Sequence, residues 1–475
     1  MRIRNYAVAV AALTFVTLGG GTGLAQAAKG GATCTPDTAW TSALDLKLTL
    51  APLAGATTGF GHRLRAVAAT RNGSKVIVLG IPTKNQQVWL YVLDPATLTQ
   101  VQGAQRVDLP TPVGGNSFFP QYGSVVSDFD GNGVPDFAFA NTNPSTVYVV
   151  LGDVDGSGNL VYTNTQRLMI SGASIAGADA STFGVGVAAS RAVDGLAHPL
   201  FVSQAAVAGK GTKPGAPGKI FAFASTGTPQ APAFTVTDVV IPQTTPAFTD
   251  TLGPFGFSAG DVNLDGNDDI IAGAPKRDAG SVVDAGAVFV FLATGPGAFS
   301  DVPSHVVTAT TLVSGANFGD RTLFAGDIDL SGSRDIVATV SGKGDAVYTP
   351  LGTGIPNSTA LFTPVSGQDS NFAYHALDGA DVNGDGRADV TISSSMAGCS
   401  TGIAWTWLSS GAGTWTRVSV QSPAGFTNGR FGSGSALVPD PNDPVANRGL
   451  LIVGDDSVTV NGVASAGQVY VYRVK

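Results

Sequence analysis

The stretch that decides the fold is Phe255-Gly-Phe-Ser-Ala-Gly-Asp-Val-Asn-Leu-Asp-Gly-Asn-Asp-Asp-Ile-Ile-Ala-Gly-Ala-Pro275. It begins with an aromatic residue and a glycine, continues through oxygen-bearing side chains at alternate positions, and ends in an apolar run and Gly-Ala-Pro. Parts of this pattern recur along the 475-residue chain. Recurrence at a regular interval indicates a repeat architecture, in which each unit buries its apolar surface against its neighbours.

Aromatic-glycine pairs mark the repeats at intervals of about 60 residues. Six pairs are Phe60-Gly61, Tyr122-Gly123, Phe183-Gly184, Phe255-Gly256, Phe318-Gly319 and Phe431-Gly432, and Phe372-Ala373 is a degenerate seventh. Each pair precedes short runs rich in β-branched and aromatic residues, and the fourth run of a unit is the most polar. Such runs predict antiparallel strands, and four-stranded units repeated around an axis form a β-propeller. The sequence therefore predicts an all-β, seven-bladed β-propeller with four-stranded antiparallel blades.

The two ends of the repeat array predict how the ring closes. The last unit stops at Lys475, after its third run at Gly467–Arg473, and it lacks a fourth run. A spare run with alternating apolar and polar residues, Leu44–Leu50, precedes the first unit. Because an unpaired third strand would leave an exposed edge, we expect this N-terminal strand to complete the last blade. The propeller domain is accordingly predicted to span residues 44–475.

The first residues have the pattern of a signal peptide. Arg2 and Arg4 precede an apolar run at Tyr6–Leu18, and Ala25-Gln26-Ala27 is a small-x-small cleavage site. We expect a signal peptide at 1–27, a linker at 28–43, and a secreted product that is extracellular or associated with the cell surface, with no membrane span after cleavage. A retained membrane anchor is the alternative, although Gly19–Gly23 interrupts the apolar run.

Composition excludes several kinds of site and partner. All 34 acidic residues are aspartates, which excludes a catalytic glutamate, an HExxH zinc site and the glutamate that closes an EF-hand loop. The formal net charge is −8, and loss of Arg2 and Arg4 with the signal peptide makes it −10. This acidity argues against binding through phosphate contacts, so no nucleic-acid partner is expected. Export permits a disulfide between the two cysteines, Cys34 and Cys399, which the sequence leaves open.

Four units carry an aspartate-rich segment of nine residues between the first and second runs. Oxygen-bearing side chains occupy positions 1, 3, 5 and 9, and a glycine occupies position 6. The candidate ligands are Asp128, Asp130, Asn132, Asp136, Asp261, Asn263, Asp265, Asp269, Asp327, Asp329, Ser331, Asp335, Asp381, Asn383, Asp385 and Asp389. Oxygen donors without histidine or thiolate indicate calcium, because zinc prefers nitrogen and sulfur and magnesium keeps most of its waters. The sequence therefore predicts about four structural Ca²⁺ sites, of which the one containing Ser331 should be the weakest.

A hairpin turn rich in turn-forming residues is the alternative interpretation of such segments. It is the preferred interpretation for Asp153–Asn159, which lies between a third and a fourth run and has no aspartate at position 9. In the four matching segments, unpaired carboxylates converging on one point would repel one another. That repulsion favours a bound cation over a simple turn.

The combination of aromatic-glycine pair, aspartate-rich loop and Gly-Ala-Pro resembles the FG-GAP repeat of integrin α-subunit propellers and of many secreted bacterial proteins. The resemblance covers nearly all of residues 44–475, and it implies that the loops bind calcium at the underside of the blades. The first, third and seventh units depart from the pattern, with Arg71–Lys75, Ala192–Gly195 and Asp440–Asp443 in place of the loop. No metal is predicted in those three units.

The sequence shows no recognisable catalytic constellation. His62 and His375 fall near the start of innermost strands, close to the expected mouth of the propeller channel, and packing or surface roles are the alternative for both. The leading interpretation is a non-catalytic extracellular calcium-binding propeller for recognition of, or adhesion to, a protein or polysaccharide. The alternative is a secreted hydrolase or lyase with an active site on the upper propeller face, an activity that the resembling family also includes.

A candidate ligand surface lies on two neighbouring loops opposite the calcium loops. It consists of Lys210, Lys213, Lys219, Lys276 and Arg277. A basic cluster on an acidic protein predicts an anionic partner such as an acidic polysaccharide. The alternative is a pair of solvated loops without a binding function.

Overall fold

The computed structural model describes most of the chain beyond its N-terminal segment. The described residues are 26–27, 33–34, 44–52, 58–110, 123–141, 145–179, 181–206, 218–242, 252, 256–309, 312–340, 345–349, 360–362, 376–395, 402–411, 414–423, 430–442 and 449–474. Most of the predicted signal peptide and linker lies outside these residues, as do Lys210, Lys213, His375 and Cys399. The signal peptide and the disulfide therefore stay predictions. Within the described ranges, no helix is long and apolar enough to cross a membrane.

The described strands form four-stranded antiparallel sheets, which are the blades of a β-propeller. Six sheets use strands that follow one another along the chain, and a seventh combines the N-terminal strand with three C-terminal strands. Blade 1 comprises Arg65–Arg71, Ser74–Thr83, Gln87–Leu93 and Gln105–Asp108. Blade 2 comprises Gly123–Ser127, Asp136–Asn141, Thr146–Val150 and Arg167–Ser171. Blade 3 comprises Phe183–Ala188, Leu200–Gln204, Lys219–Ser225 and Phe234–Val240.

The remaining sheets follow the same plan. Blade 4 comprises Phe257–Gly260, Asp269–Ala274, Ala287–Phe291 and His305–Val307. Blade 5 comprises Phe318–Gly326, Asp335–Val340, Asp345–Thr349 and Ala360–Phe362. Blade 6 comprises Ala376–Ala380, Asp389–Ser394, Ile403–Gly411 and Thr414–Gln421. Blade 7 comprises Phe431–Val438, Leu450–Asp455, Gln468–Val474 and, outermost, Leu44–Leu50.

Short elements decorate this framework. They are the paired strands Gln26–Ala27 and Thr33–Cys34, the hairpins Asp153–Val154 with Leu160–Val161 and Ala293–Gly295 with Ala298–Phe299, and a 3₁₀ turn at Gly172–Ser174. The first hairpin contains Asp153–Asn159, so the prediction of a turn there is confirmed.

The ring is closed through the innermost strands. The innermost strand of each blade contacts that of the next blade, and Phe431–Val438 of blade 7 contacts Arg65–Arg71 of blade 1. We call the face where an innermost strand passes into the second strand the lower face, and the opposite one the upper face.

The hydrophobic core lies between the blades. Each core cluster combines apolar residues from two neighbouring blades, as where Phe183 of blade 3 packs with Phe129 and Val149 of blade 2. The second strands are buried on both sides, which explains their near-continuous apolar runs, such as Asp269–Ala274. The outermost strands have one solvent-facing side and are accordingly more polar, as in Phe234–Val240.

The N-terminal strand completes blade 7, as its alternating pattern predicted. Leu44–Leu50 pairs antiparallel with Gln468–Val474 over six residue pairs, from Leu44 opposite Val474 to Leu50 opposite Val469. Leu50 is buried, and the half-buried Leu48 packs into the same cluster between blades 7 and 1. The pairing covers the edge that the third strand would otherwise expose.

Close backbone packing between blades explains why the two glycine motifs recur. A Cβ atom on Gly273, in the Gly-Ala-Pro of blade 4, would lie 1.8 Å from the carbonyl oxygen of Gly319 in blade 5. A Cβ atom on Gly454 of blade 7 would lie 2.0 Å from the carbonyl oxygen of Gly61 in blade 1. Glycine at these positions lets neighbouring blades approach with their backbones in contact.

The aromatic-glycine pairs fall into two structural groups. Gly61, Gly184, Gly319 and Gly432 have positive φ values, from 78° to 97°, whereas Gly123 and Gly256 do not. Asp327 lies eight residues after Gly319, but Asp261 lies only five after Gly256. Gly123 and Gly256 therefore lie at a different position relative to the innermost strand. The sequence analysis had treated all six pairs as equivalent, and this was wrong for these two.

Candidate metal-binding loops and the axial channel

The four aspartate-rich segments form loops at the lower face, between the innermost and second strands of blades 2, 4, 5 and 6. In each loop the first aspartate organises the turn by accepting backbone N–H groups. The Asp381 carboxylate, for example, accepts from Gly384 at 2.7 Å and from Gly386 at 2.8 Å. Asp128, Asp261 and Asp327 accept in the same way from positions 5 and 6 of their own loops.

Glycine at position 6 is required by the backbone. Gly133, Gly266, Gly332 and Gly386 have φ values between 78° and 88°, a region that side chains disfavour. Position 4 adopts a similar conformation, and there two loops have the leucines Leu264 and Leu330 at φ 60° and 61°. The four loops therefore have the same turn although their side chains differ.

The aspartate at position 9 is buried and ties the loop to the sheet. The Asp389 carboxylate accepts backbone N–H groups from Val382 at 2.8 Å, from Asn383 at 3.1 Å and from Ser409 at 2.7 Å. Asp136 and Asp269 likewise accept from position 2 of the loop and from the second residue after the third strand. This role of position 9 was not foreseen from the sequence, which assigned the residue only to metal binding.

Burial raises the pKa of these carboxyl groups. It raises the pKa of Asp269 to about 6 and those of Asp335 and Asp389 to about 7, with repulsion from the other loop aspartates adding to the shift. Burial, together with the charges of Asp130 and Asp128, raises the pKa of Asp136 well above its ordinary value. Near neutral pH these groups hold a negative charge at a cost, which a bound cation would relieve.

Two of the loops bring three carboxylates close together. Oxygen atoms of Asp128, Asp130 and Asp136 lie within 4.8 Å of one another, and so do those of Asp327, Asp329 and Asp335. The described aspartates of the blade 4 loop and those of the blade 6 loop do not form such a group of three. Those two loops have an asparagine at position 3, and their position 5 aspartates, Asp265 and Asp385, are exposed. The donor set is oxygen alone in all four loops, which fits a hard divalent cation.

Blade 3 has no aspartate-rich loop, and its corresponding segment packs against the loops on both sides. Gly195 N–H donates to the Asp128 carboxylate of blade 2 at 3.2 Å. His198 contacts Asp194 at 3.1 Å and Asp268, in the loop of blade 4, at 2.9 Å. Burial alone would lower the pKa of His198, but these two carboxylates outweigh it and raise the pKa to about 9. A protonated His198 thus links blades 3 and 4 at the lower face.

The predicted basic surface is described only in part. Lys219 donates to the carbonyl oxygen of Gly177. Lys276 contacts Asp284 at 3.1 Å and Asn317 at 2.9 Å, so its charge is partly balanced. The Arg277 guanidinium stacks over the Phe289 ring at 5.0 Å. Lys210 and Lys213 lie outside the described residues, so the assembly of all five into one surface stays a prediction.

His62 belongs to a charge cluster between blades 7 and 1. The buried carboxylate of Asp456 lies 3.4 Å from His62, 3.2 Å from Lys84 and 3.3 Å from Arg430. Burial lowers the pKa of His62 despite the neighbouring Asp456. The sequence offered a signal for this cluster, because Gly454-Asp455-Asp456 stands where blade 4 has Gly273-Ala274-Pro275.

The innermost strands surround an axial channel that contains several arginines. Arg191 of blade 3 crosses the channel to Asp378 of blade 6, with its Nη1 atom 2.9 and 3.0 Å from the two carboxylate oxygens. Its Nη2 atom donates to the carbonyl oxygens of Ala66 in blade 1, at 2.8 Å, and Leu437 in blade 7. One side chain thus connects four blades. The sequence analysis did not identify this arginine.

Fold and loops together define the class: a β-propeller of four-stranded blades with aspartate-rich loops on one face. Residues 254–291 match the FG-GAP repeat. The chain is similar to integrin alpha pat-2 of Caenorhabditis briggsae, with 33% identity over 160 residues that cover 29% of this chain and 13% of that protein. It is also similar to integrin alpha-PS5 of Drosophila melanogaster, with 32% identity over 151 residues that cover 29% of this chain and 14% of that protein.

These matches support the resemblance to integrin α-like FG-GAP propellers. The chain spans only 13% to 14% of the length of these curated relatives. The comparison therefore concerns their repeat region, and the functions of the whole relatives enter only as a proposal. The closer assignment to secreted bacterial proteins stays a prediction.

Proposed function

We propose that this protein is a non-catalytic extracellular propeller that recognises a protein or polysaccharide, and that Ca²⁺ holds its lower-face loops in place. The observation that supports this most is the repetition of one loop geometry in blades 2, 4, 5 and 6, on a chain similar to integrin α-subunits. Adhesion or ligand recognition is the role that this similarity suggests. Secretion through the predicted signal peptide at 1–27 is part of the proposal.

The calcium part of the proposal is supported by charge. Two loops group three carboxylates within 4.8 Å, and burial raises the pKa of the aspartates at position 9. Asp327, Asp329 and Asp335 would hold the ion in blade 5, and Asp128, Asp130 and Asp136 would hold it in blade 2. A bound divalent cation would remove the repulsion among these groups and keep them deprotonated.

A thermal melt with calcium and with chelator tests the metal. Ions that bind only the native state stabilise it by about 2.7 kcal/mol per site at a hundredfold excess over the dissociation constant. We expect millimolar calcium to raise the melting temperature above that in excess chelator, and magnesium to raise it less. Asp265→Ala should reduce this effect more than Ser331→Ala, because it removes a charged ligand. Identical melts in calcium and in chelator would contradict the proposal.

A binding screen tests the recognition function. The protein without its first 27 residues is applied to arrays of glycans and of extracellular proteins, with and without calcium. We expect binding to a restricted set of ligands, weaker in chelator because the blades loosen. Absence of binding to either class, combined with turnover of a polysaccharide, would favour the hydrolase or lyase alternative.

The basic residues extend the proposal to an anionic partner. Replacing Lys219, Lys276 and Arg277 together with Lys210 and Lys213 by serine should weaken retention on an acidic polysaccharide matrix. Since exposed charges act at long range, this retention should also fall as salt rises past about 0.15 M. Retention equal to that of the unchanged protein would remove this surface from the proposal.

A further inference from the structure

The axial channel encloses a cavity of about 600 Å³. This volume lies in the range of about 300–1,000 Å³ that is usual for sites that bind small molecules. The lining residues come from the innermost strands and from the loops next to them, and most of them are small. The charged residues that line the cavity are Arg63, Arg65, Arg191, Arg321, Arg334, Asp327, Asp378 and Asp381. Arginines therefore outnumber aspartates in a protein whose net charge is −8.

The aspartates of the channel already have other partners. Asp378 is bound by Arg191 and also accepts the backbone N–H of Leu437 at 2.8 Å. Asp327 and Asp381 are the first residues of the blade 5 and blade 6 metal loops, and they accept N–H groups within those loops. The acidic groups are thus used at the Arg191 bridge and in the lower-face loops.

Arg65 is the strongest indication of a ligand. Its Nε atom donates to the carbonyl oxygen of Ser124 at 2.6 Å. No carboxylate of the described chain lies within ion-pair distance of its guanidinium group, and the residue lines the cavity. Burial lowers the pKa of Arg65, with repulsion from Arg191 opposing the attraction of Asp378. An enclosed cation without an acidic partner is costly, unless a ligand supplies the opposite charge.

Two further arginines lie on the same cavity. Arg63 is 9% exposed and Arg321 is 4% exposed, so both residues are largely buried. They occupy equivalent positions, three residues after Phe60 and three residues after Phe318. The Arg321 side chain lies 3.6 Å from the Asp320 carboxylate, an ion pair longer than that of Arg191. Planar guanidinium groups bind carboxylates through paired hydrogen bonds.

We propose that the axial channel binds a small carboxylate, such as the terminal residue of an acidic polysaccharide, through Arg65 together with Arg63 and Arg321. This rests on the proposed recognition function and names the ligand chemistry for it. The Arg191–Asp378 bridge limits how far the ligand enters. The site is distinct from the surface defined by Lys219, Lys276 and Arg277.

The test is a calorimetric titration of the full chain with glucuronate, and with methyl glucoside as the neutral control. Both titrations use the same ionic strength and saturating calcium. We expect glucuronate to bind and methyl glucoside not to bind. Arg65→Gln should weaken glucuronate binding by about tenfold or more, and Arg65→Lys should give an intermediate affinity because it keeps the charge but loses the paired geometry. Arg321→Gln provides a second, independent variant.

The matched control is Arg106→Gln, on the outermost strand of blade 1, where the side chain is exposed and paired with Asp108. This variant should bind glucuronate as the unchanged protein does. Without ligand, Arg65→Gln should melt at the same temperature or higher, because an unbalanced enclosed charge has been removed. Three results would overturn the proposal: no binding of glucuronate at millimolar concentration, equal binding of the neutral sugar, or an unchanged affinity in both Arg65→Gln and Arg321→Gln.

Failure of this proposal can be told apart from failure of the proposed function. A ligand found in the array screen whose binding is insensitive to Arg65→Gln leaves recognition in place and removes the channel site. Glucuronate binding that depends on Arg65, in a protein whose melt does not respond to calcium, removes the metal and keeps the channel site.

Discussion

The buried aspartate at position 9 is expected to stabilise the fold even without metal, and Asp389→Ala tests this. The Asp389 carboxylate is fully buried and accepts three backbone N–H groups, from Val382, Asn383 and Ser409. A buried donor left without an acceptor costs about 1–3 kcal/mol. Three donors therefore give a loss of roughly 3–9 kcal/mol before the loop relaxes or admits water. Such a loss is large compared with the total stability of most domains.

The matched control is Asp385→Ala in the same loop. Asp385 is exposed, and its carboxylate accepts the backbone N–H of Arg387 at 2.9 Å. In excess chelator, its replacement should change stability by no more than about 0.5 kcal/mol. In calcium, Asp385→Ala should lose part of the metal-induced rise in melting temperature. The two aspartates are thus expected to act under different conditions.

Tryptophan fluorescence reports on the unfolding of blade 6, which contains Asp389. Trp405 and Trp407 are buried in the third strand of blade 6, and Trp407 pairs with Val390, next to Asp389. We expect Asp389→Ala in chelator to shift the fluorescence transition to a clearly lower temperature than Asp385→Ala. If both variants and the unchanged protein have the same melting temperature in chelator, the hydrogen bonds of position 9 do not stabilise the blade and the reasoning is wrong.

Two further predictions concern the ring and the lower face. A chain that begins at Gly55 lacks Leu44–Leu50, so blade 7 would expose an edge along Gln468–Val474; we expect aggregation or an earlier melt, and unchanged solubility and melting would refute closure by this strand. His198 has a pKa of about 9 in the fold against 6.5 for the free side chain. The contribution of protonated His198 to the stability of the fold is therefore complete below about pH 6.5, and it is lost as pH rises through about 9. With calcium in excess, the melting difference between the unchanged protein and His198→Gln should be largest near pH 6 and vanish above about pH 9.5; a constant difference would show that the charge is not involved.

Local pattern made the strands, their order and the closing strand predictable. Each depends on residues close in sequence, such as the alternation in Leu44–Leu50, or on a repeated signal such as Gly-Ala-Pro. The turn at position 6 of the metal loops was predictable for the same reason, because the glycine requirement is local. The offset of Gly123 and Gly256 was not predictable. The innermost strands of blades 2 and 4 are short, which changes the distance from the glycine to the loop while the aromatic-glycine motif stays the same.

Contacts between distant blades were not predictable from the sequence. Arg191 and Asp378 are 187 positions apart, and only the closed ring brings them together. The three-acid grouping in two of the four loops, by contrast, follows position 3, which is an aspartate in those loops and an asparagine in the other two. A partial signal for the channel existed: Arg63 and Arg321 occupy equivalent positions after Phe60 and Phe318.

The metal loops and the channel share residues, so the two proposed sites should be coupled. Asp327 and Asp381 line the cavity and are also the first residues of the blade 5 and blade 6 loops. Without calcium, their negative charges face the same cavity as Arg65 and oppose the entry of a carboxylate. With calcium bound, those charges are balanced, so glucuronate should bind more tightly in calcium than in chelator. Linkage requires glucuronate to raise the calcium affinity by the same factor. Equal glucuronate affinities in the two conditions, in a protein whose melt responds to calcium, would mean that the loops act on stability alone.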